Sequence, residues 1–483
     1  MNKIKMACLA LVASASVLPS WAGGILTNTN QNAAFLRNPS RDAVIAIDGV
    51  YNNPAGIAFM PQGFHFSLSW QAAIQKRQME TSNPLYQANT NNPTTNRTFE
   101  GKTFAPVIPS FQAAYVINDK WSVSGQFAVG GGGGKCEFED GLPMFEELIA
   151  GSTYKMLGTA APYTLNQKLT GEQMFYGVQL GGTYKITNNL SLFAGARAVL
   201  ANCAYTGAIT NISVNGLGSA QYAALSEQAA AGAQQAAAVA AQYAVAGDAA
   251  MAAQYATMAE TLKGQAVQAG TAAVLTQDYS LDCSQSGFGI TPIIGVDYKT
   301  GKWNFAAKYE FRTKINLENE SSNSANVDAM MPAYADKAEV RSDIPALLTV
   351  GAQYEVCQNF RAMAGFHYYW DKDAKGTPIK NGDNTWEANL GLEWDVNDKI
   401  LLSIGGQRTQ YGFDDTDMVD TNFNINSTAI CIGGAYKFNE RMKLNVGYMH
   451  SFYDTHEFTN STNSACKYTR KNDAVGVSFD ISF

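Results

Sequence analysis

The chain ends with Asp473-Ala474-Val475-Gly476-Val477-Ser478-Phe479-Asp480-Ile481-Ser482-Phe483. Large apolar residues occupy every second position of this stretch, and the positions between them are small or polar. Because successive side chains of a β-strand point to opposite faces, the segment has one apolar face and one polar face. A closed sheet of such strands can meet lipid outside and water inside. The segment therefore predicts a strand of a transmembrane β-barrel.

The same alternation recurs along the chain in segments of ten or more residues, joined alternately by short and long connections. Tight turns are expected at residues 118–120, 187–189, 300–301, 357–359, 397–399 and 439–440. This pattern predicts an all-β fold, a 14-stranded antiparallel barrel over residues 62–483. An even strand number, with both chain ends on the short-turn side, is typical of bacterial outer-membrane barrels.

The composition and the start of the chain agree with this fold. Residues 1–22 read as a signal peptide, with Lys3 and Lys5 before an apolar stretch and Ser20-Trp21-Ala22 as the cleavage site. No other apolar run is long enough for a spanning helix. Charged residues make up 16% of the chain, against roughly 25% in soluble domains, and the net charge of −7 argues against a nucleic-acid partner. We expect a multi-pass protein of the bacterial outer membrane.

Residues 23–61 precede the barrel and do not alternate cleanly, yet they contain apolar groups and the turn motif Asn53-Pro54-Ala55. Since about eight strands already give a barrel that its own side chains can fill, fourteen leave room for more chain. The sequence therefore predicts that this segment is a plug in the lumen. A periplasmic linker is the alternative.

Here the chain resembles the FadL/TodX-type outer-membrane transporters of long-chain fatty acids and other hydrophobic compounds. The resemblance rests on Asp42-Ala43-Val44, Asn53-Pro54-Ala55, the strand number and the terminal aromatic strand. It implies a plug in the lumen, a hydrophobic site above it and sideways exit at a kinked third strand. We expect ligand binding to shift the plug enough to allow passage. That strand ends here in five consecutive glycines, Gly130, Gly131, Gly132, Gly133 and Gly134. Glycine permits bends in a strand, although these five could equally begin a flexible loop.

Several apolar residues are candidates for contact with a hydrophobic ligand. Residues 142–149 predict a short amphipathic helix, and methionine suits varied apolar ligands. The candidates are Phe35, Ile45, Ile47, Leu142, Phe145, Leu148, Met330 and Met331. Packing among the loops themselves is the alternative for the helix.

Residues 219–275 are rich in alanine, the strongest helix former, and Gly247-Asp248 gives a stop and a new N-cap. We expect two helices folded back as an extracellular hairpin that covers the barrel mouth.

Cations at inward positions of the strands could hold a fatty-acid carboxylate, and arginine can do so in bidentate fashion. The candidates are Arg197, Lys308, Arg312 and Arg361, and Arg408 is also expected to face inward. Lumen charges more often pair with one another, and Glu310 lies between Lys308 and Arg312 on one face.

Six cysteines remain after removal of the signal peptide. Cys203 and Cys283 fall near the outer rim of neighbouring strands, which favours a disulfide at the base of the hairpin. The four histidines form no spaced metal cluster, and no nucleophile motif is present. We expect neither catalysis nor a cofactor.

The sequence thus predicts passive uptake of hydrophobic molecules, most simply fatty acids, by a monomer that contacts outer-membrane lipid and a fatty acid-like ligand. A surface adhesin or receptor that displays the hairpin, and a general porin, are the alternatives.

Overall fold

One antiparallel sheet closes on itself because its first strand pairs with both the second and the last. In the computed structural model, which describes residues 25–483, β1 (Gly63–Ser82) pairs with β2 (Asn96–Val116) and with β17 (Ala465–Ser482). Closure satisfies the backbone hydrogen bonds that an open sheet edge would leave unpaired. The expected signal peptide lies outside the described residues.

The remaining strands follow in chain order. They are β3 (Trp121–Phe138), β4 (Tyr163–Lys185), β5 (Leu190–Val214), β6 (Tyr279–Thr300), β7 (Trp303–Glu310), β8 (Asn316–Ser321), β9 (Glu339–Arg341), β10 (Leu347–Cys357), β11 (Phe360–Tyr369), β12 (Trp386–Asp395), β13 (Ile400–Gln410), β14 (Ser427–Asn439), β15 (Met442–Tyr453) and β16 (His456–Thr459). We call each complete strand of the barrel wall a stave. Three staves consist of two of these strands each, separated by an interruption: β7 and β8, β9 and β10, and β15 and β16. The wall therefore has fourteen staves, as the alternation predicts.

Exposure alternates along the staves with the period of the pleat. Leu68, Leu180 and Leu390 are 65%, 68% and 67% exposed on the outer face, whereas Ser67 and Ser69 on the inner face are at most 1% exposed. Apolar exposure on this scale around the whole wall is the surface that a bilayer covers. None of the helices among residues 25–483 is long and apolar enough to cross a membrane.

The two ends of the barrel differ in their connections. Tight turns join the staves at one end, where Phe483 also exchanges backbone hydrogen bonds with Phe64. We call this the turn end, and the opposite end, which carries the long connections, the loop end. One long connection, residues 311–346, contains β8 and β9 and thus extends the wall.

The helices lie inside the barrel or at its loop end. They are α1 (Ala33–Arg37), α2 (Gly49–Asn52), α3 (Pro143–Leu157), α4 (Ser219–Val245), α5 (Ala249–Leu275) and α6 (Ala325–Met330), and 3₁₀ turns cover Pro54–Phe59, Pro84–Ala88, Pro332–Tyr334, Asp371–Asp373 and Asp415–Asp417. Helices α4 and α5 form the expected hairpin. Gly247 takes a positive φ of 82° at its tip, and the Asp248 carboxylate caps α5 through the Met251 amide.

The expected Cys203–Cys283 disulfide is not formed, and all six cysteines among the described residues are free thiols. The register gives the reason. Cys203 lies opposite Gln285, and Cys283 lies opposite Tyr205, so the two cysteines are diagonal neighbours. Diagonal pairs are roughly 7–8 Å apart, which exceeds the Cβ–Cβ distance of about 4 Å that a disulfide needs.

The hairpin is attached to the barrel mainly at its base, where the Tyr222 hydroxyl donates to the Val214 carbonyl and Leu275 is buried. Replacing residues 224–270 by a short Gly-Ser linker should therefore leave the barrel folded. We expect the heat-modifiable electrophoretic shift to persist and the Tm to change by less than about 2 °C. Leu275→Asp, which places a charge in the base, should lower the Tm instead. Loss of the folded band in the trimmed chain would contradict this.

Candidate functional site

Residues 25–61, which we call the inner segment, lie inside the barrel rather than beyond it. The Arg37 guanidinium is 2.6 Å and the Arg41 guanidinium 2.8 Å from the Glu393 carboxylate of β12, and Arg41 also pairs with Asp48. His367 of β11 lies between Asp42 and Glu387, 2.9 Å from each. These side chains are all buried. Buried charges are stable only when paired, so these contacts fix the inner segment to the wall.

The Asn53-Pro54-Ala55 motif attaches the inner segment to a second part of the wall. The Asn53 side chain accepts from the Gly56 amide and donates to Asp297 of β6 at 2.5 Å. The Pro54 and Ala55 carbonyls accept from Thr183 and Ser191, on β4 and β5. The motif therefore anchors the chain through its own geometry, with no ligand required.

The predicted carboxylate-binding cations already have carboxylate partners. Arg197 and Lys308 lie 2.6 and 2.7 Å from Glu310, and both stack on the Tyr51 ring. Arg361 pairs with Asp395 and Glu393. A ligand carboxylate would have to displace these partners, so the structure does not support this role.

Arg312 and Arg408 were expected to face inward and do not. The alternation of buried and exposed residues shifts by one position between β7 and β8. Lys308 and Glu310 are buried before the shift, and Thr313 and Ile315 are buried after it. Arg312 therefore lies in the interruption between β7 and β8, one-third exposed, near Asp343 and Asp373. On β13 the buried positions are Gln407 and Thr409, so Arg408 points outward and pairs with Asp454.

The wall has a gap beside the glycine run of β3. Pairing of β2 with β3 stops between Thr103 and Ser110, and the register of β3 against β4 shifts at Val129/Gly131 and again at Gly132/Gly134. Gly132 and Gly134 have positive φ angles of 75° and 82°, which favour glycine. On the β2 side, the gap contains Pro106 and Pro109, which lack the amide hydrogen that pairing needs.

The first residues of the inner segment bind at this gap. The Asn28 amide donates to the Gly130 carbonyl at 3.0 Å, and its side chain donates to the Gly132 carbonyl at 2.7 Å. The Leu26 carbonyl lies so close to Gly131 that a Cβ there would be 2.3 Å from it. Asn28 thus supplies part of the hydrogen bonding that β2 does not provide.

An apolar pocket opens at the loop end, between α3, β4 to β6 and the α6 loop. Its free volume for water-sized groups is about 50 Å³, so a hydrocarbon chain fits there only if lining side chains move. Among the predicted ligand contacts, Phe145, Leu148, Met330 and Met331 line it. The other lining residues include Met144, Leu169, Tyr205, Ile209, Tyr279, Val327 and Thr421.

The other predicted ligand contacts lie elsewhere. Leu142 is buried just below the pocket, whereas Phe35 packs on inward residues of the wall, Ala73 and Met449 among them. Ile47 packs within the inner segment and on β2, and Ile45 borders a polar opening at the turn end. The inner segment therefore contributes Phe35 and Ile47 to packing and not to the pocket.

One cluster of buried apolar side chains, the apolar interior, connects the pocket with the gap. It begins at Met144 beside the pocket and includes Phe138, Phe175 and Tyr468. At its other end are Ile25 and Leu26, next to the glycine run. The side chains are in contact, so a ligand can follow this path only if some of them move.

Sequence reasoning missed an acidic cluster that holds α3. The Asp420 carboxylate accepts from the Met144 amide at 2.6 Å and from the Tyr468 hydroxyl, while Glu147 accepts from Ser464 and Asn460. Burial, together with the nearby Glu147 charge, raises the pKa of Asp420 to about 7. These acids lie in loops and a helix with no alternation to place them, so the sequence carries no signal for their proximity.

Within the described part of the chain, no three His, Cys, Asp or Glu side chains are grouped so that they could hold a metal ion.

A scan against models of known families and a search of curated proteins found no match. Solved structures do match over nearly the whole chain. A FadL homologue of Pseudomonas aeruginosa has a TM-score of 0.63 at 12% identity, covering 95% of this chain and 100% of its own. The chain has the FadL-type fold.

Two further structures share this fold. The toluene transporter TodX of Pseudomonas putida has a TM-score of 0.55 at 14% identity, covering 91% of this chain and 94% of that one. The toluene transporter TbuX of Ralstonia pickettii has a TM-score of 0.51 at 13% identity, covering 92% and 98%. At such identities the FadL-type likeness concerns the fold, and the function has to be argued from the site.

Glu393→Gln should loosen the inner segment, because it leaves the buried Arg37 and Arg41 short of negative charge. Breaking a buried pair in this way costs roughly 3–5 kcal/mol. We expect the variant to show frequent conductance steps in planar bilayers, where the unaltered protein shows few. Asp395→Asn, which removes only the half-exposed partner of Arg361, is the matched control. Equal conductance in all three proteins would contradict the anchoring role.

The packing of α3 should weaken as the pH rises. Since the pKa of folded Asp420 is about 7 and that of an exposed aspartate about 3.9, the folded state binds more protons between these values. The stability of this contact is therefore full below about pH 4 and decreases as the pH rises through about 7. Hydrogen-exchange protection of α3, corrected for intrinsic rates, should be lower at about pH 8 than at about pH 5.

Glu147→Gln should reduce that difference, because it removes the neighbouring charge. The α4–α5 hairpin serves as the internal control. Equal protection of α3 at both pH values would show that Asp420 does not govern its packing.

Proposed function

We propose that this protein admits hydrophobic molecules through the bacterial outer membrane, with long-chain fatty acids as the ligand class. The observation that carries the proposal is the apolar interior, which joins a pocket at the loop end to a gap in the wall. The loop end then faces outward and the turn end faces the periplasm. TodX and TbuX, which share the fold, are toluene transporters, and this supports an apolar cargo.

The first step is capture from outside. The pocket presents Phe145, Leu148, Met330 and Met331 to a hydrocarbon chain. Burial of apolar surface contributes about 25 cal/mol per Å², so a long acyl chain gains several kcal/mol there without any polar contact. Methionine side chains adapt their shape, which suits chains of differing length.

The second step is displacement of residues 25–28 from the gap. Ile25 and Leu26 belong to the apolar interior, and Asn28 is held to the glycine run by two hydrogen bonds. A ligand that packs among the apolar side chains competes for the same contacts. It can therefore shift these residues while the Glu393 and Asp297 anchors hold the rest of the inner segment.

The third step is exit through the gap between β2 and β3. Phe104 and Val107 of β2 are exposed on the outer face beside it, so a ligand leaving there meets an apolar surface throughout. A path through the turn end would instead cross the polar opening that includes Arg37, Arg41 and Lys443. Sideways exit avoids transfer of an apolar chain into water.

A general porin is disfavoured by the inner segment, which occupies the lumen and is almost entirely buried. The adhesin alternative concerns the hairpin, and no contact of the described residues favours a particular partner for it.

Deleting Gly130 and Gly133 should lower fatty-acid entry by at least about tenfold, or about 1.4 kcal/mol. These residues are the extra ones at the two register shifts, so their removal restores continuous pairing of β3 with β4. Entry of labelled hexadecanoic acid into cells that express each protein is the measurement. Deletion of Asn91 and Asn92, in the exposed loop after β1, is the length-matched control.

If the Gly130/Gly133 deletion folds and leaves entry unchanged, the exit step through the gap is wrong. If cells with and without the unaltered protein take up hexadecanoic acid equally, the whole proposal fails.

A further inference from the structure

Three lysines form a row on the outer face of the barrel, across the seam between the first and last strands. Lys76 of β1 lies directly opposite Lys471 of β17 and, on its other side, directly opposite Lys102 of β2. All three point outward, because the residues before and after each of them along its strand are buried. Directly opposed side chains of antiparallel strands have Cβ atoms roughly 5 Å apart, where like charges repel. This lysine row is therefore stabilised by an anion that lies on it.

The lysine row marks the loop-end edge of the apolar surface. The outward residues of β1 are all apolar from Phe64 to Ile74, and Lys76 is the next one. At about 3.3 Å per residue and a tilt of about 40°, this apolar stretch spans about 25 Å, which is the height of the band that faces lipid. With the loop end outward, the lysines lie where the head groups of the outer leaflet begin.

The lysine row keeps positive charge that the protein does not neutralise. Lys76 pairs with Glu100 at 2.6 Å, and its side chain is 42% exposed. Lys102 and Lys471 are exposed, and neither forms an ion pair with any of residues 25–483. Two ammonium groups are thus available to a ligand at the edge of the bilayer.

The other acids beside the lysine row have partners of their own. Glu137 of β3, which lies opposite Lys102, pairs with Lys135 at 2.5 Å. Asp473 of β17 lies 2.7 Å from the His450 ring. An anion on the row would therefore not have to displace either carboxylate.

A polar groove lies on the loop-end side of the lysine row. It crosses the outer face of β16, β17, β1 and β2, and its free volume for water-sized groups is about 600 Å³. It begins at Glu80, four residues along β1 from Lys76 and thus about 10 Å further from the membrane centre. Most of its outward side chains are polar, namely Glu80, Asn96, Thr98, Glu457, Thr459 and Lys467. Carboxylate, amide, hydroxyl and ammonium groups of this kind hydrogen-bond sugar hydroxyls, which both donate and accept.

The apolar surface, the lysine row and the groove follow one another in the order of the acyl chains, phosphate and sugars of a glycolipid. We propose that Lys76, Lys102 and Lys471 bind a phosphate group of a phosphorylated glycolipid of the outer leaflet, with its acyl chains on the apolar surface and its sugars in the groove. The ammonium groups give charge-assisted hydrogen bonds to the phosphate oxygens, which are stronger than neutral ones. The inference goes beyond the proposed uptake of hydrophobic molecules and requires only that the loop end faces outward.

The test counts glycolipid molecules bound to the purified full chain by native mass spectrometry in a neutral detergent, over a series of concentrations of short-core lipopolysaccharide. We expect saturable binding of one molecule to the unaltered protein. Lys102→Gln/Lys471→Gln should lower the affinity at least about tenfold, because it removes the two cations that have no ion pair. Lipopolysaccharide whose phosphates have been removed with hydrofluoric acid should bind the unaltered protein more weakly by a similar factor.

The matched control is Lys120→Gln/Lys399→Gln, which removes the same charge from exposed turns at the other end of the barrel and should keep the affinity within about twofold. Heat-modifiable mobility shows that each protein is folded. Equal affinity of the unaltered protein and Lys102→Gln/Lys471→Gln would overturn the inference, as would equal binding of the phosphate-free lipid or no saturable binding at all. Displacement of the lipid by inorganic phosphate alone would assign the lysines to free phosphate instead and also overturn it. The uptake proposal is judged separately, by entry of hexadecanoic acid.

Discussion

The arrangement depends on buried ion pairs that fasten a non-strand segment inside a wide barrel. Fourteen staves leave a lumen that wall side chains do not fill, and the inner segment occupies it. Glu393 receives Arg37 and Arg41 from that segment, and His367 receives Asp42. Because these charges are out of water, separating them is costly, so the middle of the inner segment is rigid. Its first residues are held at the glycine run by hydrogen bonds and by apolar packing, without an ion pair, and in the proposed function they are the part that ligand moves.

Polar and apolar contacts thus divide the interior into two regions. The turn-end half is crossed by charged and amide groups that anchor the chain, while the apolar interior runs through the loop-end half from the pocket to the gap, beside the acidic cluster that holds α3. A hydrophobic molecule gains free energy only in the second region, and that region ends at the wall rather than at the periplasmic opening. In the proposed function, the direction of ligand movement follows from where apolar surface is available, without any external energy source.

Much of the fold could be predicted from the sequence, because the two faces of a barrel strand appear there as an alternation of apolar and polar residues. The strand number, the tight turns, the helical hairpin and the glycine break in β3 all follow from local pattern. Phe145, Met330 and Met331 could be named as ligand contacts because they are apolar residues of long loops at the same end. The alternation predicted the wrong face for Arg312. This residue follows a one-residue shift between β7 and β8, and no residue type in the sequence marks that shift. The predicted Cys203–Cys283 disulfide is not formed, because such a prediction requires the register of β5 against β6 to within one residue.

The central claim is that a hydrocarbon chain passes from the loop-end pocket through the apolar interior to the gap beside the glycine run. A crystal structure of the full chain with a terminally brominated long-chain fatty acid tests it most directly, through the anomalous signal of bromine. The account predicts bromine in the pocket and in the interior beside Gly131. Bromine found only on the lipid-facing surface, or in a path through the turn end, would contradict it.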